Sequence, residues 1–226
     1  MGRPFTASDE EILSAAGQVM ARRGPDGFSI AEVAADVGLS RTAIILRFKS
    51  THALKVTLLT RMVERFSAAL QAVPKTPSGD NVLRLAAFIG GYVRSRESLA
   101  SFFSTYNVNI QNPELLELEL KRGRALRAAI SSVMPEVAID HQCAVNAFTA
   151  HLTGTIIAWQ AADDHIDSRR FVVKRTTDWL GLAGVRYSEA LVEELSTDPA
   201  AAPGGKSGSH AGRHRIATRP VRRTQR

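Results

Sequence analysis

The chain has 226 residues, a formal net charge of +7 and one cysteine, Cys143. Its 44% hydrophobic and 23% charged residues match a globular protein, which argues against collagen-like, wholly disordered and membrane-spanning classes. The lone cysteine excludes an internal disulfide, and residues 1–11 lack an apolar signal core. Polar side chains interrupt the longest apolar stretch, residues 145–162, which predicts a buried helix. We therefore expect a cytoplasmic protein with no membrane partner.

The positive charge is concentrated near the end of the chain. Residues 196–226 hold seven lysines and arginines against one aspartate, so six of the seven net charges lie there. The same residues are rich in glycine and proline and poor in apolar side chains, which predicts a disordered basic tail. The charge of the whole chain is therefore weak evidence about the folded body, and a binding function has to be inferred from local patterns.

Serine residues mark the starts of the first two predicted helices. Ser8 with Glu11 predicts a capping box, and Gly24 lies in a Gly-Pro-Asp-Gly run that ends the helix. Ser29 with Glu32 predicts a second capping box at the start of a short amphipathic helix.

The sharpest local pattern covers residues 30–48. Two short helices are predicted there, joined by a turn at Gly38, with Ile44 and Phe48 facing the core from the second helix. This spacing is typical of a helix-turn-helix, although a helical hairpin with a solvated polar face is the alternative. Ser50 is expected to cap a fourth helix over about 51–73.

Helical periodicity continues to residue 195. Beyond a Pro- and Gly-containing linker, we predict helices at the following residues: 81–95, 98–107, 114–132, 136–163 and 168–182, with a further short helical turn within 186–195. The predicted fold is all-α with about nine helices. Its expected divisions are a helix-turn-helix domain at 1–55, a helical ligand-binding and dimerisation domain at 56–195, and the basic tail at 196–226.

The second short helix is expected to present a free face to a nucleic acid. The side chains predicted to point away from the core are Arg41, Thr42, Ile45, Leu46 and Arg47. A helix face with two arginines suits a major groove about 12 Å wide. Further contacts, to phosphates, are expected from Ser29, Ser40, Lys49, Thr51, His52 and Lys55. One hypothesis is that Ile45 or Leu46 packs on a thymine methyl group.

These segments resemble the N-terminal domain of TetR-family transcriptional regulators. The matching residues are Ile12-Leu13-Ser14-Ala15-Ala16, Gly24, Ile30-Ala31-Glu32-Val33-Ala34, Gly38-Leu39-Ser40, Phe48-Lys49-Ser50 and Ala53-Leu54. The resemblance implies a homodimer whose first three helices bind double-stranded operator DNA. It also implies that the remaining helices form a pocket for a small-molecule effector and a dimer interface. Repression is favoured over activation, because blocking a promoter requires only occupancy.

The chain departs from the family pattern at three positions. Ile45 replaces the usual tyrosine, Thr51 replaces the usual lysine, and Thr42 replaces a small residue. The family's tyrosine and lysine hold phosphates, so DNA binding here is expected to depend on Arg41 and the other cations near it. The alternative is a helical sensor or protein-interaction module whose helix-turn-helix has decayed and no longer binds DNA.

Two apolar stripes run along the helix predicted at 136–163. The small-residue stripe consists of Ala147, Ala150, Gly154, Ala158 and Ala161. The large stripe consists of Val145, Phe148, Leu152, Ile156 and Trp159, and a possible partner surface on the next helix consists of Phe171, Val172, Thr176, Trp179 and Leu180. The resemblance implies a four-helix bundle between two copies of the chain, whereas the alternative places both stripes in the core of one copy.

A pocket for a small, largely apolar ligand is predicted among aromatic and polar side chains of the C-terminal helices. The candidates are Phe88, Tyr92, Phe102, Phe103, Tyr106, Asn107, Asn146, Phe148, His151 and Trp159. Ordinary core packing is the alternative for each of them.

No enzyme motif is complete in the sequence. Gly205-Lys206-Ser207 lacks the preceding glycine of a phosphate-binding loop, and His210 and His214 lie in the Gly-rich tail. Cys143 is expected to be a buried, inert thiol. We expect neither catalysis, nor a cofactor, nor a metal site.

Overall fold

A computed structural model describes residues 7–93, 95–162 and 166–197, and within them it contains ten α-helices and no strand. The first four helices are α1 (Asp9–Arg23), α2 (Ile30–Asp36), α3 (Arg41–Phe48) and α4 (Thr51–Leu70). The others are α5 (Gly79–Tyr92), α6 (Arg96–Asn109), α7 (Pro113–Val133), α8 (His141–Gln160), α9 (Ser168–Leu182) and α10 (Glu189–Ser196). The all-α prediction is confirmed, and α10 is the element that the count of about nine omits. The tail from 198 onward, with His210, His214 and the segment 205–207, lies outside the described residues.

Serine caps start the N-terminal helices as the sequence predicts, with one exception. The capping box of Ser8 and Glu11 is present at the start of α1. The predicted box of Ser29 and Glu32 is wrong, because Ser29 Oγ accepts a hydrogen bond from the Ala31 amide instead. The Glu32 carboxylate is bound by the guanidinium of Arg23, with Nε to Oε1 at 3.0 Å.

The C-terminal helices follow the predicted order, and their bounds differ from the predicted ones by at most five residues. Helix α8 begins at His141, five residues later than predicted, because Asp140 caps it through the Cys143 amide at 3.0 Å. Pro113 occupies the first turn of α7, where its missing amide hydrogen costs nothing.

The N-terminal core is built around α1 to α4. Its centre consists of fully buried aliphatic side chains: Ile12, Ala16, Val19, Val33, Ile44 and Leu54. Each fully buried Ile, Leu or Val contributes about 1.5–3 kcal/mol relative to an exposed side chain. This packing holds α3 in a fixed orientation on the other three helices.

A second core is formed by α4, α5, α7, α8, α9 and α10. Its centre consists of Val82, Leu83, Leu85, Ala86, Ile130, Val133, Phe148, Val172 and Leu180. Helix α4 takes part in both cores, with Leu54 and Leu58 in the first and Phe66 and Leu70 in the second. One continuous helix therefore connects the two parts of the chain.

Candidate nucleic-acid interface and effector region

The turn between α2 and α3 is set by local chemistry. Gly38 has a φ of +67°, a backbone conformation that glycine adopts without steric cost. Ser40 Oγ accepts from the Ala43 amide at 3.1 Å and so starts α3. Ile44 is completely buried and Phe48 nearly so, which fixes the inner face of α3. The opposite face is therefore presented outward.

Three side chains form the exposed face of α3, which we call the α3 face: Arg41, Thr42 and Leu46. Leu46 is 80% exposed, an unusual position for a large aliphatic side chain. The prediction that Ile45 points away from the core is wrong, because Ile45 is half-buried and packs against the N-terminal core. At about 100° per residue, Leu46 lies nearly opposite the buried Ile44 and Phe48, whereas Ile45 lies only about 60° from Phe48. Leu46, not Ile45, is therefore at the centre of the α3 face.

Arg47 is exposed but is bound to the start of α1. Its Nη1 donates to the Ala7 carbonyl oxygen and lies 3.5 Å from Asp9 Oδ1. A base or phosphate bound by Arg47, as predicted, would have to compete for this guanidinium with Ala7 and Asp9.

Two further basic side chains of the predicted set are also held within the chain. His52 Nε2 lies 2.8 Å from Glu114 Oε2, which joins the start of α4 to the start of α7. Lys55 Nζ donates to the Pro25 carbonyl oxygen at 3.2 Å and lies 5.3 Å from the centre of the Phe28 ring. These contacts bind basic side chains to the protein instead of leaving them free for phosphates.

Arg41 and Lys49 are exposed, and within the described residues their side chains make no hydrogen bond or ion pair. Lys49 ends α3 with a φ of +67°, a strained value for a residue with a side chain. Ser50 then caps α4 through the Ala53 amide at 3.0 Å, and Thr51 is half-buried in the first turn. The free amides of this turn offer donors to an anion.

The aromatic side chains predicted to line a pocket lie in separate groups. Phe88 and Tyr92 contact Phe66 of α4, and the Phe66 and Tyr92 ring centres are 5.3 Å apart. Phe102 packs against Phe103 at 5.4 Å and Tyr106 at 6.2 Å on α6.

A buried ion pair lies beside the α6 group, and the sequence analysis missed it. Arg122 lies 4.5 Å from the centre of the Phe102 ring and is paired with Glu119. Glu119 Oε1 also accepts from Asn109 Nδ2 at 2.7 Å. In the charged run of α7, this i, i+3 pair looks like a surface pair, so only tertiary contacts reveal its burial.

The remaining pocket candidates lie elsewhere. His151 stacks on Phe148 and faces Trp179, and burial lowers the pKa of His151. Trp159 Nε1 donates to the Ile166 carbonyl oxygen at 2.8 Å, so it is committed to the core.

Two polar pocket candidates lie at the surface of the chain, and their place in a pocket stays a prediction. Asn107 and Asn146 are exposed, and the amide of Asn146 accepts from Gln142 at 3.1 Å. Two surface clefts of the described residues are lined by other side chains. One, of about 180 Å³, lies between α4 and α7, and the other lies between α1 and the turn before α3.

Helix α8 separates the two stripes that the sequence shows. The large stripe is buried within the chain, with Phe148 and Leu152 at its centre, and the α9 residues 171, 172, 176 and 180 are buried with it. The small-residue stripe is exposed along its whole length, and a Cβ atom added at Gly154 would meet nothing within 4 Å. The alternative that places both stripes in the core of one copy is therefore right for the large stripe and wrong for the small-residue stripe.

Cys143 is exposed on α8, so its predicted burial is wrong. A hydrogen bond to Asp140 and the charge of that carboxylate raise the pKa of the Cys143 thiol. The thiol is therefore kept protonated by its neighbour, not by burial.

Within residues 7–93, 95–162 and 166–197, no three His, Cys, Asp or Glu side chains are grouped to hold a metal ion. No helix in the same residues is long and apolar enough to cross a membrane.

Comparisons with known proteins match both the N-terminal segment and the fold. Residues 12–55 match the family described as bacterial regulatory proteins, tetR family. A transcriptional regulator from Rhodococcus sp. Rha1 superposes with a TM-score of 0.63 at 19% identity, covering 80% of this chain and 100% of the other. A tetR-family transcriptional regulator from Streptomyces coelicolor gives 0.59 at 19% identity, covering 86% and 94%.

A third solved structure is a putative transcriptional regulator from Saccharomonospora viridis in complex with choline. Its TM-score is 0.62 at 18% identity, covering 76% of this chain and 95% of the other. No curated protein sequence matches the chain significantly. These matches are to regulators and not to enzymes.

Proposed function

We propose that this chain, a TetR-family transcriptional regulator by its N-terminal domain and its fold, binds specific operator DNA as a homodimer and represses transcription until a small molecule releases it. Such a protein acts in the cytoplasm, where bacterial DNA is accessible.

The α3 face carries the DNA-binding part of the proposal. Helix α3 is fixed from below by Ile44 and Phe48, and its outer face offers Arg41, Thr42 and Leu46 to solvent. A rigid helix with an exposed cation, a hydroxyl and a methyl-rich side chain suits reading of base edges in a major groove. Lys49 and the first turn of α4 add donors for the flanking phosphates.

Dimerisation supplies the second half of the recognition. Two copies of α3 must lie about 34–36 Å apart to reach successive major grooves on one side of the duplex. The exposed small-residue stripe of α8 supports association, because small side chains let a partner helix approach closely. The symmetric dimer pairs the same surface of both copies.

The proposed effector acts by binding the two dimer states unequally, since a ligand with equal affinity for both shifts nothing. A solved relative of similar fold holds choline, which supports a small-molecule ligand in this fold. The aromatic groups on α5 and α6 are the proposed binding region in this chain.

A mobility-shift assay tests DNA binding directly. We expect a sequence-specific shift with DNA from upstream of the chain's own gene, weaker at about 200 mM than at about 50 mM salt. Arg41→Gln should weaken the specific shift, while the exposed Arg127→Gln on α7 serves as the matched control. Equal behaviour of the two variants would favour the alternative, a sensor or interaction module with a decayed helix-turn-helix.

The basic tail is proposed to add attraction that does not depend on DNA sequence. Its charge releases counterions when it lies near phosphates, which steepens the salt dependence of binding. Deleting residues 198–226 should flatten the slope of log affinity against log salt. An unchanged slope would show that the tail takes no part.

A further inference from the structure

The guanidinium of Arg122 is mostly buried between α6 and α7. Its side chain is 18% exposed, and the partner carboxylate of Glu119 is 2% exposed. A buried ion pair contributes little net stability, because desolvation offsets the attraction.

The pair is held in place from several sides. Asn109 donates to Glu119 Oε1, and Arg122 pairs with Oε2 of the same carboxylate. The guanidinium also lies 4.5 Å from the Phe102 ring centre and 5.9 Å from that of Tyr106. Glu119 Oε1 thus has a hydrogen-bond donor, whereas Oε2 has the ion-pair contact but no hydrogen bond within the described residues. Arg122 uses one of its nitrogens on Glu119.

The rest of the guanidinium is available to a ligand. An arginine carries five N–H donors, and within the described residues Arg122 has no partner besides Glu119 and the two ring faces. Desolvation strengthens a hydrogen bond made there, since the burial that lowers the pKa of Arg122 also removes competing water.

One aromatic ring beside this guanidinium remains open to solvent. Tyr106 is 36% exposed, although it is a large aromatic side chain, and its ring centre lies 5.9 Å from the Arg122 guanidinium. An entering molecule would therefore meet an exposed ring and a fork of donors.

We propose that Arg122 anchors the effector and that the effector is a small aromatic carboxylate, with its ring against Tyr106. This inference rests on the proposed function and names the ligand class for it. A cationic ligand is disfavoured because the resident guanidinium repels it and Glu119 is already paired with that guanidinium. A carboxylate matches the planar donor fork of arginine in two parallel hydrogen bonds.

Three probes with the same ring separate the possibilities: phenylacetate, 2-phenylethanol and phenethylamine. Calorimetric titration of the full chain without DNA should show saturable binding of phenylacetate at least about tenfold tighter than of the other two. Tightest binding of phenethylamine, equal binding of all three, or no saturable phenylacetate binding would overturn the proposal.

Variants test the anchor without losing the fold. Removing Arg122 alone strands a buried carboxylate, so the double variant Glu119→Gln/Arg122→Met is used, and it should lose the preference for phenylacetate. Glu119→Gln alone should bind phenylacetate more tightly, because a competing carboxylate is removed from the guanidinium. Weaker binding by Glu119→Gln would overturn the proposal.

Tyr106→Leu tests the ring contact, and it should weaken all three probes equally because each carries the same ring. A change in charge preference with this variant would contradict the assignment of charge recognition to Arg122. The mobility shift of each variant is recorded separately, so failure of DNA binding is distinguished from failure of ligand binding.

Discussion

His52 Nε2 and Glu114 Oε2 lie 2.8 Å apart and connect the first turn of α4 to the first turn of α7. His52 follows α3 by only four residues, and Glu114 lies on the helix that also carries Glu119 and Arg122. The contact therefore joins the proposed DNA-binding surface to the proposed effector region.

Glu114→Gln should raise operator affinity by two- to threefold, about 0.5 kcal/mol, because it releases His52 and removes a negative charge near the duplex. Glu117→Gln is the matched control, since Glu117 forms an exposed ion pair with Arg124 on the same helix. Both changes should alter the free energy of unfolding by less than about 1 kcal/mol. Equal operator affinities for the two variants would contradict the prediction.

Substitutions of Arg41 and Arg47 should have different effects on protein stability and on DNA binding. Arg41→Gln should leave the urea midpoint unchanged, because its side chain has no partner within the described residues, while it reduces the salt slope of DNA binding by about 1. Arg47→Gln should lower the free energy of unfolding by about 1 kcal/mol, because it loses the contacts to Ala7 and Asp9. A destabilised Arg41→Gln protein would show that Arg41 has a structural role.

Substitutions of Leu46 and Ile45 should differ in their effect on protein stability. The proposed contact with a thymine methyl group is tested on the operator itself. Leu46→Ala should leave stability within about 0.5 kcal/mol, since Leu46 is 80% exposed, whereas Ile45→Ala should destabilise the half-buried core contact. Replacing operator thymines by uracil should weaken wild-type binding about fourfold at a contacted position, from the loss of about 0.8 kcal/mol per buried methyl.

The same uracil substitutions should have no effect on Leu46→Ala binding, because the side chain that contacts the methyl group is gone. If the variant still distinguishes thymine from uracil, or if neither Ile45→Ala nor Leu46→Ala alters affinity or sequence preference, the thymine hypothesis is wrong.

The exposed small-residue stripe of α8 should control association. Ala150→Arg places a long cation at the centre of this stripe, where a partner helix needs close approach, so sedimentation should show a monomer in place of a dimer. Ala100→Arg on the exposed side of α6 is the control and should stay dimeric. If the Ala150→Arg protein is still a dimer, the dimer interface does not lie on the small-residue stripe of α8.

Local chemistry explains the parts of this molecule that the sequence predicts well. Ser8, Ser40 and Ser50 each accept a hydrogen bond from the amide three residues later, so their capping roles are visible without tertiary information. The positive φ of Gly38 is similarly a property of the turn itself.

Contacts between distant residues explain what the sequence could not show. Arg47 binds the carbonyl oxygen of Ala7, which lies 40 residues earlier. In the sequence, an arginine bound in this way cannot be distinguished from a free one on the same helix face. Glu32 binds Arg23 in preference to its own helix N-terminus, which removes the predicted capping box. The burial of Glu119 depends on Asn109 and α6, so helical periodicity in α7 does not reveal it.

Helix α4 contains neither glycine nor proline across its 20 residues, so it spans about 30 Å without a built-in hinge. The N-terminal end of α4 follows α3, and near its C-terminal end Phe66 lies against the ring of Tyr92. A tilt of α4 by only about 4° would displace its N-terminal end by roughly 2 Å over that length. In the proposed dimer, a small rearrangement around Tyr92 would therefore change the spacing between the two α3 helices.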